Sequence, residues 1–217
     1  MIKVVLFGVW WEDLKSPMNK YLPLTPGGKG KYGIIECIDD VKKADYYIVQ
    51  QSDSKLSRKL PANKKIYFQR EPFQVDSHSF KSNRGIYKST YQTDFHYAAW
   101  WIEKTYDELK ELPFLRKTKK CSAIISHKQT TQGQKKRIDF VKHAHASNIS
   151  IDFYGSVNRI LNNSAILNKV NLSKFDLTYP YSYSLVSENG NVANYFSEKL
   201  LDAYLGWSMP IYDGCPN

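Results

Sequence analysis

"YSYSLVSENGNVANYFSEKLLDAYLGWSMPIY", residues 181–212, holds a strand, a loop, a helix and a second strand in one span. "YSYSLV" (181–186) mixes aromatic and aliphatic residues with serines and reads as a strand. Ser187, Glu188, Asn189, Gly190 and Asn191 follow as a polar loop. A helix is then predicted from about Asn194 to Trp207, with Asn194 or Ser197 as its N-cap. "MPIY" (209–212) closes the span as a short strand. Strands joined through helices of this length form βαβ units, so the sheet is expected to be parallel.

The same rhythm continues upstream. "CSAIIS" (121–126) and "ISIDFYG" (149–155) read as strands. Between them lie a polar loop, "HKQTTQGQ" (127–134), and a helix, "KKRIDFVKHAHA" (135–146). Residues 157–176 are expected to begin as a helix. In the first half, "IKVVLFGVW" (2–10), "DYYIVQ" (45–50) and "KKIYFQ" (64–69) are predicted strands. "SPMNKYLPLTPGGKG" (16–30) is rich in Pro and Gly and is expected to be a loop. "IIECIDDVKKA" (34–44) reads as a helix edge and "SKLSRKLP" (54–61) as a short basic helix. The longest helical pattern covers 93–112, where Phe95, Ala98, Ala99, Ile102, Tyr106 and Leu109 recur at three- and four-residue steps. "PFLRKTKK" (113–120) breaks it with a basic run. The domain boundary is set there, giving domains 1–115 and 116–217. The fold class is α/β, with two Rossmann-like domains facing a cleft.

Composition narrows the partners. A formal charge of +10 favours a polyanionic or phosphorylated one; nucleic acid, an acidic membrane face and a nucleotide diphosphate all qualify. Sixteen Tyr and five Trp give many side chains with an apolar body and a polar tip, which suit sugar clefts and protein interfaces. Cys37, Cys121 and Cys215 lie far apart, without zinc-ligand spacing, and their odd number fits a reducing compartment. "MIKVVLFGVWWEDL" turns acidic at Glu12 and Asp13 and lacks a small-residue cleavage site, so it reads as a strand rather than a signal peptide. No run approaches the ~20 apolar residues of a membrane-spanning helix.

Several motifs fail on spacing. "TPGGKGKYG" is not a P-loop, no G-x-G-x-x-G follows the first strand, and no D-x-D is present to chelate a metal on a diphosphate. Asp39 and Asp40 are adjacent and would point about 100° apart on a helix. His143 and His145 do not share a helix face and read as solvated. The loop at 187–194 survives this filter. Open α/β sheets bind ligands beyond the carboxyl ends of their strands, where helix N-termini offer free N–H groups to phosphate. Lys199 adds a positive charge in the first turn, and Glu198 has oxygens suited to a ribose diol. An ordinary capped helix, with Glu198 favoured by the macrodipole and Lys199 solvated, is the competing explanation.

"ENGNVANYFSEKLLDAYLGWSMPIYDGCPN" (188–217) closely resembles the donor-binding signature of the alpha-1,3-fucosyltransferase family, E-N-x(4)-[DG]-Y-[VIF]-[ST]-E-K followed by P-[VI]-x-x-G-x-[PS]. Glu188, Asn189, Tyr195, Ser197, Glu198, Lys199, Ala203, Pro210, Gly214 and Pro216 match in order. Upstream, "HKQTTQGQKKRIDFVKHA" resembles the family's strand–loop–helix opening and puts Arg137 at its diphosphate-binding arginine. "IDFYGSVN" and "FGVWWED" are similar to further family segments, the latter near the acceptor, and "FQREPF" to a strand-end segment carrying an acidic residue, here Glu71. Asn194 departs from the pattern, standing where many members have Asp or Gly. Family members usually continue some dozens of residues past the position of Asn217, which leaves a compact variant, a fragment and a shortened reading frame as alternatives; a truncated C-terminal sheet would leave an apolar edge exposed.

The resemblance implies an inverting glycosyltransferase of GT-B type. It would move fucose from GDP-fucose to a hydroxyl of an N-acetylglucosamine or glucose unit in an acceptor oligosaccharide, with no obligatory metal. On that basis Arg137 and Lys199 would take the diphosphate and Glu198 the ribose. Asn189 and Tyr195 would line the phosphate or sugar side. Glu71 would be the catalytic base, in competition with a turn-capping role before Pro72, and Arg70 beside it could lower its pKa. A cytoplasmic protein is expected, with peripheral contact at the inner membrane face left open and nucleic acid not expected as a partner. Two alternatives stand beside this: a noncatalytic basic module for nucleic acid or an anionic glycan, and a GT-B enzyme using another GDP-sugar.

Overall fold

In β1 (Ile2–Gly8), Val5 and Phe7 point to one face and are almost fully buried. They pack with Tyr47 and Val49 of β4 (Tyr46–Gln50) and Tyr67 of β5 (Lys65–Phe68), again residues two apart on a pleated strand. The computed structural model describes residues 1–8, 10–71, 83–89, 99–162 and 172–217. With β2 (Lys31–Tyr32), β3 (Ile35–Cys37) and β6 (Tyr87–Ser89), these strands form a sheet of order β2-β3-β1-β4-β5-β6. All its pairings are parallel except β2 with β3.

The second sheet has the order β10-β9-β7-β8 and is parallel throughout. It is built from β7 (Lys119–Ile124), β8 (Asp152–Tyr154), β9 (Tyr181–Ser187) and β10 (Met209–Asp213). The helix Gln132–Ala146 links β7 to β8 and buries Ile138, Val141 and Ala144, one stripe at three-residue steps, on Ala123, Ile125 and Phe153. The chain leaves β7 toward β8 on one side and returns to β9 on the other. The carboxyl ends of β7 and β9 therefore flank a switch point, where connections diverge and a crevice opens. By internal contacts the chain divides into two units, Met1–Tyr97 with Lys104–Leu112, and Ala98–Glu103 with Pro113–Asn217.

Several elements depart from the sequence expectation. Residues 16–30 are not simply a loop: α1 spans Lys15–Tyr21, and 3-10 turns follow at Leu22–Leu24 and Pro26–Gly28. Pro17 is tolerated because it falls in the first turn, where its missing N–H would have no helical partner, and the Asp13 carboxylate takes the N–H groups of Lys15 and Ser16 at 2.7 Å each. Residues 34–44 form β3 and a 3-10 turn at Val41–Lys43 rather than a helix edge, with Asp40 accepting the Lys42 N–H. The predicted helix 54–61 is a 3-10 turn at Ser57–Lys59.

The helix predicted over 93–112 is reduced to α2 (Tyr106–Lys110), and its first residues, 93–98, lie outside the described residues. A capping box of Thr105 and Glu108 starts α2. Upstream the chain bends: Glu103 adopts a left-handed φ of 63°, and Trp101 N–H bonds the Asp202 carboxylate at 2.7 Å. Ile102 is buried completely, so its apolar character reflects packing of an irregular segment and not a helical stripe. Of the predicted helix over 157–176, a 3-10 turn at Ser156–Arg159 is seen, and 163–171 lie outside the described residues.

The helix stripe gives a direct test of the second core. Ile138→Ala should lower unfolding stability by about 2–5 kcal/mol, because a fully buried aliphatic side chain is replaced by a cavity. Phe140→Ala, on the 39 % exposed face of the same helix, should change it by no more than about 0.5 kcal/mol. Urea titration followed by circular dichroism distinguishes the two.

Candidate functional site

A cavity of about 350 Å³ opens at the switch point of the second sheet. Its floor comes from the ends of β7 and β9, including Ser122, Ile124, Ser184 and Val186. The N-termini of two helices border it: α3 (Gln132–Ala146) contributes Gln134 and Arg137, and α4 (Glu198–Leu205) contributes Glu198, Lys199, Asp202 and Ala203.

Local chemistry fixes the start of α3. Thr131 and Gln134 form a capping box, and Gln134 also takes the N–H and hydroxyl of Thr130 at 2.9 and 2.8 Å. The Thr131 hydroxyl then donates to the Asn189 carbonyl at 2.6 Å. Gly133 allows this docking, since a Cβ there would stand 2.7 Å from the Asn189 carbonyl carbon and oxygen. One helical turn on, Arg137 is 5 % exposed. Its guanidinium donates to the Ser187 carbonyl at 3.2 Å and the Ser126 hydroxyl at 3.3 Å, while the buried Nε has no partner among the described residues. Among the described residues no carboxylate lies within ion-pairing distance of it. Burial pulls its pKa down, and the charge of Glu188 opposes that shift.

The start of α4 is held by Glu188, which sequence reasoning matched to the signature but assigned no role. Its side chain is fully buried and lies 3.1 Å from the Lys199 ammonium. It also accepts the Ser197 N–H at 2.8 Å and the Ser197 hydroxyl at 2.7 Å. Gly214 makes room for it: a Cβ there would fall 2.7 Å from Glu188 Cγ and 2.5 Å from the Tyr212 hydroxyl. Ser197, not Asn194, is the N-cap, so the helix begins later than the periodicity suggests. Asn194 takes a φ of 62° and pairs with Asn217. Asn, Asp and Gly all tolerate that conformation better than other residues, so the departure from the family pattern at this position keeps the backbone geometry.

The structure thus brings Arg137, Asn189, Glu198 and Lys199 to one cavity. Tyr195 does not line it; the ring is 2 % exposed, and its carbonyl accepts the Tyr212 hydroxyl at 3.4 Å. Lys199 is not simply poised for a ligand, because Glu188 and, at 3.9 Å, Glu198 already surround its charge. Asp202 and Lys174 also line the cavity, 3.1 Å apart, and were not singled out in the sequence. Burial pushes the Asp202 pKa up, with Lys174 and the Trp101 N–H pulling the other way. The i, i+4 spacing of Glu198 and Asp202 was the available signal, since it puts both carboxylates on one helix face.

Glu71 belongs to the first unit, just past β5. Its N–H donates to the Gln51 side chain at 3.0 Å, and its carbonyl accepts from Gln69. Arg70 turns its guanidinium to the Tyr21 hydroxyl at 2.7 Å and to Gln50 at 2.8 Å. Among the described residues no group of three His, Cys, Asp or Glu side chains could hold a metal ion.

The chain matches known proteins at two levels. The family description "Glycosyltransferase family 10 (fucosyltransferase) C-term" fits residues 114–217. A crystal structure of an alpha1,3-fucosyltransferase with GDP superposes with a TM-score of 0.55 at 16% identity, covering 99% of this chain and 68% of that one. A second alpha1,3-fucosyltransferase crystal structure gives 0.53 and 16%, covering 99% and 69%. No curated protein sequence matches. Two parallel α/β sheets, one opening a cavity at its switch point, are the fold of a GT-B glycosyltransferase. Residues 114–217 belong to glycosyltransferase family 10, the fucosyltransferases.

Removing Lys199 should cost more than removing its partner. Lys199→Ala is expected to destabilise the second unit by about 3–5 kcal/mol, since it leaves the fully buried Glu188 carboxylate without a counter-charge. Glu188→Ala should cost less, about 1–3 kcal/mol, because Lys199 is partly exposed and the Ser197 groups lose only an acceptor. Gly133→Ala should cost about 1–3 kcal/mol by pushing α3 off the Asn189 backbone. Thermal unfolding of the three variants gives the order.

Proposed function

We propose that this chain transfers fucose from GDP-fucose to a hydroxyl of an acceptor oligosaccharide, by a single displacement that inverts the anomeric centre. The observation that carries the proposal is the buried guanidinium of Arg137, without a carboxylate partner among the described residues, in a residue that lines a switch-point cavity in a family 10 domain. A buried cation without a carboxylate is costly unless an anion completes its shell. A diphosphate supplies that anion, and GDP accompanies one of the similar crystal structures.

In this mechanism the diphosphate leaves with growing negative charge. Arg137 suits two phosphate oxygens at once, and Lys199 adds a point charge. Fixed cations at such a position contribute on the order of 3 kcal/mol each to the transition state. Glu198 takes the ribose hydroxyls, and Asn189 sits beside the phosphates or the sugar. Glu71 removes the acceptor proton as the bond to fucose forms.

Arg137→Met separates binding from folding. The apo protein should be as stable or more stable, because a buried unpaired charge gives way to an apolar chain. GDP affinity should fall about 10- to 100-fold, as expected for lost bonds to a charged group. Glu71→Ala should leave GDP affinity unchanged and abolish fucose transfer. Calorimetry with GDP and UDP, followed by a transfer assay with GDP-fucose and GDP-mannose, tests this. Equal affinity for GDP and UDP would overturn the donor assignment, and preferred use of GDP-mannose would overturn the sugar.

A further inference from the structure

The strands of the second sheet are all parallel, so their amino ends share one pole, opposite the cavity. A strained aromatic residue stands there. Trp207 follows the C-terminus of α4 with a φ of 56°. Its N–H bonds the Tyr204 carbonyl at 2.9 Å, and the Ser208 N–H bonds the Ala203 carbonyl at 3.0 Å, the paired closure of a Schellman motif. The left-handed position of that motif is usually glycine, and a bulky side chain is disfavoured in it. The nearby Gly206 sits one residue too early, held by packing: a Cβ on it would stand 2.5 Å from Thr178 Cγ2. The Trp207 side chain is 48 % exposed, so burial does little to offset the strain. Strain of this kind gathers at functional positions. Phe114, 78 % exposed, meets the Trp207 ring edge-on at 6.1 Å. Leu115 and Tyr204, their neighbours in the chain, are exposed as well. The segment before β7 is pinned to this turn: the Lys117 ammonium donates to the carbonyls of Tyr179 and, at 3.1 Å, Gly206, and the Tyr179 hydroxyl donates to the Pro113 carbonyl. Residues 113–120 carry Arg116, Lys117, Lys119 and Lys120 and no acidic residue. Arg116 and Lys120 are exposed; Lys119 has the Asp152 carboxylate 3.9 Å away.

We infer that this pole docks on an anionic phospholipid bilayer through Trp207, Phe114 and Leu115, with Arg116 and Lys120 meeting the lipid phosphates. An indole ring has an apolar body and a polar tip and settles at headgroup level, while Phe and Leu side chains enter the acyl boundary. Each basic residue near an anionic surface adds attraction, and an apolar contact combined with a basic patch holds where either alone is marginal. A nucleic acid would match the cations but gain nothing from Leu115. Docking here leaves the cavity, at the other ends of the same strands, open to solvent. The inference stands apart from the donor assignment, since none of these residues lines the cavity.

The test is co-sedimentation of the intact chain with vesicles of phosphatidylcholine alone, and with vesicles in which about one-third of the lipid is phosphatidylglycerol. The chain should bind the anionic vesicles about tenfold more tightly than the neutral ones, and added salt should weaken that binding. Trp207→Gly puts the favoured residue at the left-handed position, so it should keep its thermal stability while losing about tenfold in vesicle affinity. Phe114→Ser should lose affinity in the same way. The double variant Arg116→Gln, Lys120→Gln should bind both kinds of vesicle alike. Failure of the unmodified chain to bind anionic vesicles would overturn the inference. Binding that Trp207→Gly and Phe114→Ser leave unchanged would overturn it too, since it would reflect only the diffuse attraction of a chain with a formal charge of +10. Capture of RNA or heparin in place of vesicles, weakened by the same substitutions, would overturn it in favour of a soluble polyanion.

Discussion

The geometry of the site depends on one buried carboxylate. Glu188 sits at the end of β9, and its N–H bonds the Asp213 carbonyl at the end of β10. Its side chain holds the cap residue of α4 and the lysine of the first turn. Three elements are therefore tied at one point, without solvent, and only a residue lacking a side chain at 214 leaves room for it. A buried charge is stable only when its hydrogen bonds are nearly complete, so the contacts of Glu188 specify a single loop path from β9 into the helix. The adjacent Glu198 and Lys199 face the cavity because Glu188 fixes where the helix begins.

On the other wall the electrostatics run the opposite way. Arg137 is nearly as buried, yet its partners are a carbonyl and a hydroxyl, and among the described residues one nitrogen has none. Glu188 rests in a completed set of donors; Arg137 rests in an incomplete set of acceptors. A protein selected for stability alone would fill or remove such a position, and strain of this kind gathers where ligands bind. The helix N-terminus of α3 adds oriented N–H groups to the same pole.

Much of the second sheet was legible in the sequence. β7, β9, β10 and α3 follow from strand-like runs, turn residues and a helical apolar stripe, all of which are local; the capping box at Thr131 was not read, and α3 starts at Gln132, inside the expected loop. The helix over 93–112 was misread because Ile102 is apolar for a tertiary reason, packing as part of an irregular segment anchored to Asp202. The helix α1 was missed because Pro17 reads as a breaker unless its place in the first turn is known. At the site, Glu198, Lys199, Asn189 and Arg137 were legible through the resemblance to a family signature. The role of Glu188 was not, because nothing local shows that a loop carboxylate will be buried under a residue nine positions later. Tyr195 matched the same signature, yet it is buried and does not line the cavity.

The most direct measurement is the position of a diphosphate relative to Arg137. In a crystal structure of the chain with GDP bound, an oxygen of the diphosphate should lie about 3 Å from a nitrogen of the Arg137 guanidinium. A diphosphate bound away from Arg137 would contradict the account.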